Sequence, residues 1–442
     1  VDLSDLAGET VGLELRTDPG DTVDLDYVFV ADPVVFTPSD DPPRVVLVFI
    51  DTLRADHMSL YGYERPTSPG IDAWMTDGAV FEQARSVAPW TLPSTRTMVT
   101  GAIPERWGQL ETLPARFAQA GWATAFLAGN VYLSSNFEMA DDWGTHRVIN
   151  WPNADIQVDR ALDWLVKNDD RPAFLLLHFM DMHLPYTEPL AYRRTFAGPR
   201  PDAFSTDSFH RSAVVKHGRK DEAVQQYVRD RYDNNLVFVD DELMRFFEAV
   251  DPSTDTVLIV SDHGEEFWEH DGFEHGHTLY DELLRVPMLW RGPGAEAGRY
   301  AQPTSLLDVA PTLATAAGIP TDGMSGWPLQ ELVSGARADA FAQRPQAFGR
   351  PLYGRRRWGV LADGQKYTTT QGRDERYDLG ADPGEQDDLF VDGEDAGPWR
   401  GAMAAALDRP VHRALRLYPS GSGKRQDLIV EVTAPGGWEA AF

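Results

Sequence analysis

Four stretches of this 442-residue chain carry side chains able to hold a divalent cation. They are Asp51 in VFIDTLRADH, Asp181 and His183 in HFMDMHLPY, Asp262 with His263 in IVSDHGEE, and His275 with His277 in FEHGHTLYDELLRVP. Carboxylate and imidazole together suit zinc or manganese, whereas an all-oxygen shell suits calcium or magnesium. A further stretch, SVAPWTLPSTRTMVTG, sets the hydroxyl of Thr91 at a turn leading into an apolar run, where a helix N-terminus is expected. A hydroxyl there has two readings. It caps the helix, or it faces an anion docked against the free N–H groups and the positive end of the dipole. Taken singly, an Asp at a strand end is a turn former or helix cap, and a His is a surface or satisfied core residue. Four clusters on one expected face are harder to dismiss.

The elements that must position them read as an α/β chain. VVLVFID is a short continuous apolar run ending at Asp51, as expected of a parallel strand buried on both faces. AFLLLHFMD and TVLIVSDHG repeat the pattern, WATAFLAGN is a further strand, and TLPARFAQAG, IQVDRALDWLVKN and RYDNNLVFVDDELMRFFEAV alternate with them as helices. This predicts a mainly parallel central sheet flanked by helices, with ligands outside the carboxyl ends of the strands. Residues 1–40 read as a short β element, 41–335 as the catalytic domain, 336–410 as a small antiparallel subdomain, and 411–442 as a β tail.

Composition excludes several functions. With 40 Lys+Arg against 69 Asp+Glu the formal net charge is −29, which disfavours a nucleic-acid or anionic-membrane surface. An anionic substrate then needs local compensation by metal or arginine, and Arg54 and Arg96 are the nearest candidates. There is no cysteine, so disulfides, thiolate metal sites and a cysteine nucleophile are out. No apolar run reaches the ~18 residues of a membrane span, and no charged-then-apolar leader is present. The opening at Val1, directly before a strand-like pattern, is that expected of a mature or excised segment. A periplasmic or extracellular setting is the expectation.

In order and content, VVLVFIDTLRADHMSLYGYERPTSPGIDAW, APWTLPSTRTMVTGAIP, LLLHFMDMHLPY, YDNNLVFVDDEL, VLIVSDHGEEFWEH and HGHTLYDELLRVPMLWRGPG resemble the alkaline phosphatase superfamily, in its sulfatase-like branch. The resemblance spans roughly residues 44 to 395, taking in KYTTTQGRDERYDLGADPGEQDDL. It implies that Asp51, Asp262 and His263 bind a divalent metal, and that Thr91 is the nucleophile with its oxygen near that metal. It also implies that His183 and His275 contact substrate or help hold a second ion. Asp181 and His277 are further candidates for that ion. Asn130 is a candidate donor to the transferring group, and Trp90, Tyr132, Trp143 and Tyr186 are candidate pocket walls.

The sequence also departs from the sulfatase pattern. Where that pattern reads Cys/Ser-x-Pro-Ser-Arg, this chain reads Thr91, Leu92, Pro93, Ser94, Thr95, with Arg96 one place late. Threonine's methyl prevents oxidation to an aldehyde, so formylglycine cannot form at Thr91. Asp51 is followed by Thr52, and LAGNVYL offers Asn130 and Tyr132 where sulfatases show Gly-Lys-x-His. The leading expectation is therefore a metal-dependent hydrolase of phosphate esters, diesters or phosphonates before monoesters, working through a covalent threonine intermediate on a small anionic ester. A formylglycine-independent sulfatase is the alternative. An envelope head-group transferase and a non-catalytic scaffold are the remaining readings.

Overall fold

The computed structural model describes residues 4–6, 9–12, 14, 38–207, 209–370, 373–391 and 393–407, together with the backbone of 412–417 and 428–433. The chain divides into two compact units, Val1–Phe36 and Thr37–Phe442. In the first, Ser4–Leu6 is a 3-10 turn, and the strand-like stretch expected over 15–37 lies outside the described residues.

The second unit is built on an eight-stranded sheet. Its strands are β1 (Arg44–Ile50), β2 (Ala79–Arg85), β3 (Ala123–Ala128), β4 (Thr145–Val148), β5 (Ala173–Phe179), β6 (Thr256–Val260), β9 (Met288–Arg291) and β10 (Gly298–Ser305), with β7 (Glu266–Phe267) and β8 (Phe273–Glu274) forming a separate two-residue ladder. The order is β10-β2-β9-β6-β1-β5-β3-β4. All neighbours are parallel except at β9, which runs antiparallel to both β2 and β6.

Strand β1 shows why its sequence reads as one apolar run. Val46, Val48 and Ile50 join a core shared with the helices Ala154–Val166 and Glu222–Phe247. Val45, Leu47 and Phe49 join a second core with Thr91–Thr100, Leu113–Gln119 and Val309–Ala316. With period-2 side chains and a helical layer on each face, no polar position is left. Each such aliphatic residue contributes about 1.5–3 kcal/mol by burial.

The C-terminal part is antiparallel. Strands β11 (Gln346–Gly349), β12 (Arg357–Ala362), β13 (Gln365–Thr370) and β14 (Arg373–Asp378) form a meander. The helix Gly397–Ala406 lies against it, with Trp399 and Met403 packed on Val360, Tyr367 and Ala396. The expected β tail contains β15 (His412–Leu417) paired antiparallel with β16 (Leu428–Thr433).

Candidate active site

Four adjacent parallel strands, β6, β1, β5 and β3, end at one edge of the sheet, and the polar residues of the site follow from those ends. Asp51 follows β1, and its N–H donates to Phe179 O at 3.0 Å. Asp262 and His263 follow β6, His178 is the penultimate residue of β5, and Asn130 lies two residues beyond β3. Asp51, Asp262 and His263 are fully buried, and one ligand atom from each lies within 4.8 Å of the others.

Hydrogen bonding leaves these atoms free to meet a cation. Asp262 Oδ1 accepts from the N–H groups of His263 at 2.9 Å and Thr52 at 3.3 Å. Thr52 reaches this position with φ of 58°. Asp262 Oδ2 is left without a hydrogen-bond partner, 3.1 Å from His263 Nε2. Asp51 Oδ1 is likewise unpartnered, 3.6 Å from the same nitrogen. His263 Nδ1 donates to Gly264 O at 2.9 Å, which turns Nε2 into the cluster. Unpartnered buried carboxylate oxygens cost several kcal/mol each, so the donor set fits a divalent cation.

Electrostatics agrees. Burial works against ionisation of Asp51, but His178, His183 and His263 outweigh it and hold the carboxyl well below the usual carboxylate range. Burial also disfavours charge on His263, yet Asp262 and Asp51 beside it push its pKa up to about 9. The site draws positive charge to itself, as a proton or as a metal ion.

Thr91 is the first residue of the helix Thr91–Thr100, whose N-cap is Trp90. It therefore is not the cap that its sequence context allows. Its Oγ1 is 3.4 Å from His263 Nε2, at the helix end where N–H groups point outward. The neighbouring hydroxyl Ser94 is engaged elsewhere, 2.9 Å from Ser86 Oγ and donating to Trp90 O at 3.0 Å.

His275 and His183 extend the site. The His275 ring lies 4.3 Å from that of His263 and 4.8 Å from that of His183. Burial, with His263 and His183 adding to it, lowers the His275 pKa well below the usual imidazole value, so this ring is neutral. Its Nδ1 is 3.2 Å from Glu265 Oε1. His183 Nδ1 donates to Leu184 O at 2.7 Å, leaving Nε2 as the exchangeable position.

The other sequence candidates have different partners. Asp181 stays outside the cluster: its Oδ1 accepts from Ala154 N–H at 3.1 Å, at the start of the helix that precedes β5, and burial pushes its pKa up to about 7. His277 points away as well, with Nε2 2.7 Å from Glu266 Oε2. Arg54 is held by Asp56, by Glu269 and by Glu265 O, so its charge is spent on tightening the loop after β1. Arg96 donates to Phe137 O at 2.7 Å and stacks over Trp107. Asn130 donates to Asp51 Oδ2 at 3.1 Å, orienting a cluster carboxylate. Trp143 and Tyr186 are core residues, packed on Phe126 and Phe174 and on Phe209 and Tyr232 respectively. Trp90 and Tyr132 are paired edge to face.

Sequence reasoning missed His178. Gly129 N–H donates to its Nδ1 at 2.9 Å, so its Nε2 carries the proton and faces Asp51 Oδ2 at 3.4 Å. In the sequence it is one polar letter inside an apolar strand, with no spacing to mark it. Such a partner orients a ligand and raises its basicity. His178→Ala is expected to lower divalent-metal affinity about 10- to 100-fold, read by competition with a chromophoric chelator. An unchanged affinity would assign His178 to packing alone.

Glycine is required at position 264. A Cβ there would fall 2.0 Å from Glu282 O, while Gly264 N–H donates to Leu283 O at 2.8 Å. The turn carrying Asp262 and His263 is thereby braced against the short helix Asp281–Leu284.

The Sulfatase family profile matches residues 43–319, the whole of this sheet and its helices. The chain belongs to the Sulfatase family. Among curated sulfatase-family relatives, the uncharacterized sulfatase YidJ of Escherichia coli K12 is 23% identical over 341 residues, covering 63% of this chain and 68% of YidJ. The Kdo(2)-lipid A phosphoethanolamine 7''-transferase of the same organism is 29% identical over 269 residues, covering 56% of this chain and 44% of the transferase. Two solved structures share the sulfatase-like fold. The phosphonate monoester hydrolase of Agrobacterium radiobacter superposes with a TM-score of 0.66 at 18% identity, covering 83% of this chain and 95% of the hydrolase. BT4656 in complex with D-glucosamine-2-N,6-O-disulfate gives 0.68 at 18% identity, covering 83% and 97%. The chain thus has the fold of these two structures and the family of sulfatases. No helix among the described residues is long and apolar enough to cross a membrane.

Proposed function

We propose that this sulfatase-family chain is a metal-dependent hydrolase of phosphate esters, diesters or phosphonates in preference to monoesters, and that Thr91 is its nucleophile. The observation that carries the reading is the position of Thr91 Oγ1, 3.4 Å from His263 Nε2 at the start of a ten-residue helix. Asp51, Asp262, His263 and Thr91 would hold the metal, zinc or manganese by donor type. A bound divalent ion lowers the pKa of a coordinated hydroxyl and offsets the charge of the ester.

The steps assigned to the chain's own side chains balance as follows. Thr91 loses its proton to solvent, and Oγ1 forms a bond to phosphorus while the phosphorus–oxygen bond to the leaving group breaks. The leaving oxygen takes a proton delivered from His183 Nε2, and neutral His275 accepts at Nδ1 from the Glu265 carboxyl, whose pKa burial pushes up to about 7, and donates Nε2–H to a nonbridging oxygen. Water then attacks phosphorus and gives its proton to His183 Nε2, the Oγ1–phosphorus bond breaks, and Thr91 takes back a proton from solvent. Asn130 keeps Asp51 oriented throughout.

Chemistry favours phosphorus over sulfur. A formylglycine hydrate releases covalent sulfate by collapse back to the aldehyde, a route closed to threonine. An ester of Thr91 must instead be cleaved by water at the central atom. Transfer, as the name of the transferase relative states for that protein, needs an acceptor other than water, and for this chain water is proposed. The test is the ratio of kcat/KM on matched aryl phosphodiester, aryl phosphate and aryl sulfate. The diester is expected fastest, by at least about tenfold, ~1.4 kcal/mol in the barrier. A faster aryl sulfate would replace this reading with a formylglycine-independent sulfatase.

A further inference from the structure

The rings of the site continue outward to a tryptophan that the proposed reaction does not use. His263 and His275 are 4.3 Å apart between ring centroids, His275 and His183 4.8 Å, and His183 and Trp151 5.1 Å, edge to face at 82°. Trp151 holds this place with φ of 58°, in the left-handed region that bulky L residues seldom occupy. Its N–H donates to Gly129 O at 3.0 Å, next to Asn130. A Cβ on Gly129 would lie 3.2 Å from Pro152 and 2.7 Å from Met180, so the loop approaches the strand end closely.

Despite that anchoring, Trp151 is 46% exposed. Two aliphatic residues at the same strand ends are exposed with it, Val131 at 48% and Ile149 at 43%. Val131 follows Asn130, and Ile149 N–H donates to Ala128 O at 3.0 Å. All three expose apolar side chains at the strand ends that carry the site. Burial does not account for a tryptophan left half in water in a strained backbone, and strain of this kind is kept where the surroundings use it.

We infer that Trp151, with Val131 and Ile149, seats a flat apolar leaving group, an aryl alcohol in chemical class, on the ester attacked by Thr91. The inference rests on the phosphoester reading of Thr91. Attack and departure at phosphorus are roughly in line, so the leaving group points away from Thr91. From Thr91 the rings lead by way of His263, His275 and His183 to Trp151. The residue that protonates the leaving oxygen is thus in contact with the residue that seats the leaving group. Exposed apolar side chains on a chain of net charge −29 suit an uncharged aromatic ring.

The probes are phenylphosphonate and methylphosphonate, whose carbon–phosphorus bonds are not substrates for ester cleavage. Their affinities are measured by calorimetry on the metal-loaded protein as wild type, Thr91→Ala, Trp151→Ala and Trp151→Phe. Wild type and Thr91→Ala are expected to bind phenylphosphonate at least about tenfold more tightly than methylphosphonate, ~1.4 kcal/mol. Trp151→Ala is expected to abolish that preference while still binding methylphosphonate, which shows the variant is folded. Trp151→Phe is expected to keep most of it. Equal affinities in wild type, or a preference that survives Trp151→Ala, would overturn the proposal. Failure of the nucleophile reading shows separately, as ester turnover surviving Thr91→Ala, and the affinity ratio still decides the seat.

Discussion

Replacing Thr91 by Ala is expected to lower the ester-cleaving rate by more than about a thousandfold, ~4 kcal/mol in the barrier, with the metal still held by Asp51, Asp262 and His263. The local geometry makes the variant informative. Ser94, the nearest alternative hydroxyl in the same helix, is turned back onto Ser86 and Trp90 O, so it cannot take over without rearranging the turn. Thr91 is buried at the head of the helix, and Ala fits that position without strain. Thr91→Ser keeps the hydroxyl and is expected to retain most of the rate. Activity retained in Thr91→Ala would instead make a water molecule the attacking group.

Lys366→Met is expected to destabilise the fold by about 3–5 kcal/mol, because it leaves buried carboxylates uncompensated. Lys366 on β13 is fully buried, with Nζ 3.0 Å from Asp281 Oδ1 and 2.9 Å from Glu385 Oε2. Asp281 keeps Arg85 as a second partner, at 2.6 Å. Glu385 makes no other ion pair among the described residues, and burial already pushes its pKa up to about 7, so it takes up a proton when Lys366 is lost. That places the cost toward the lower end of the range. Adding Glu385→Gln should recover part of the lost stability, since it removes the uncompensated group. The consequence reaches the active site, because Asp281 begins the short helix whose Leu283 O and Glu282 O fix the Gly264 turn. Lys366→Met is therefore also expected to weaken metal binding. Chemical denaturation of the single and double variants checks the account, and an unchanged midpoint in Lys366→Met would contradict it.

What was legible in the sequence followed from periodicity. Apolar runs ending in Asp51 and Asp262 mark buried parallel strands, and a parallel sheet collects whatever follows its strands at one edge. Proximity of Asp51, Asp262, His263 and Thr91 follows from that topology. The same rule misplaced Asp181, for a physical reason. A carboxylate after a strand can also meet the free N–H groups of a neighbouring helix, and Asp181 takes that of Ala154, at the start of the helix that precedes its own strand in the chain. His277 lies two residues from His275, and the intervening Gly276 has φ of 81°, so spacing could not show that it pairs with Glu266.

Arginines were the least legible residues. Arg54 and Arg96 read as the nearest positive charge to the site, with a salt bridge that tightens the strand-end loop as the other reading of Arg54; Arg54 makes such a bridge with Asp56 and a second with distant Glu269, and Arg96 is taken by Phe137 O, 41 residues away. The lone antiparallel strand β9 was equally hidden, since its apolar residues fit either direction. Trp143 and Tyr186 against Trp151 make the same point for aromatics. The first two are buried by the sheet and helices, and the third is displayed by a backbone path that no local motif encodes.

The most direct test of the central claim is to mix the metal-loaded enzyme with an aryl phosphodiester, quench it in acid within one turnover, and locate any covalent adduct by peptide mass spectrometry. The account predicts a phosphoryl ester on Thr91, absent from Thr91→Ala and from enzyme quenched before mixing. Turnover in the wild type with no adduct on Thr91, or with the adduct on another residue, would contradict it.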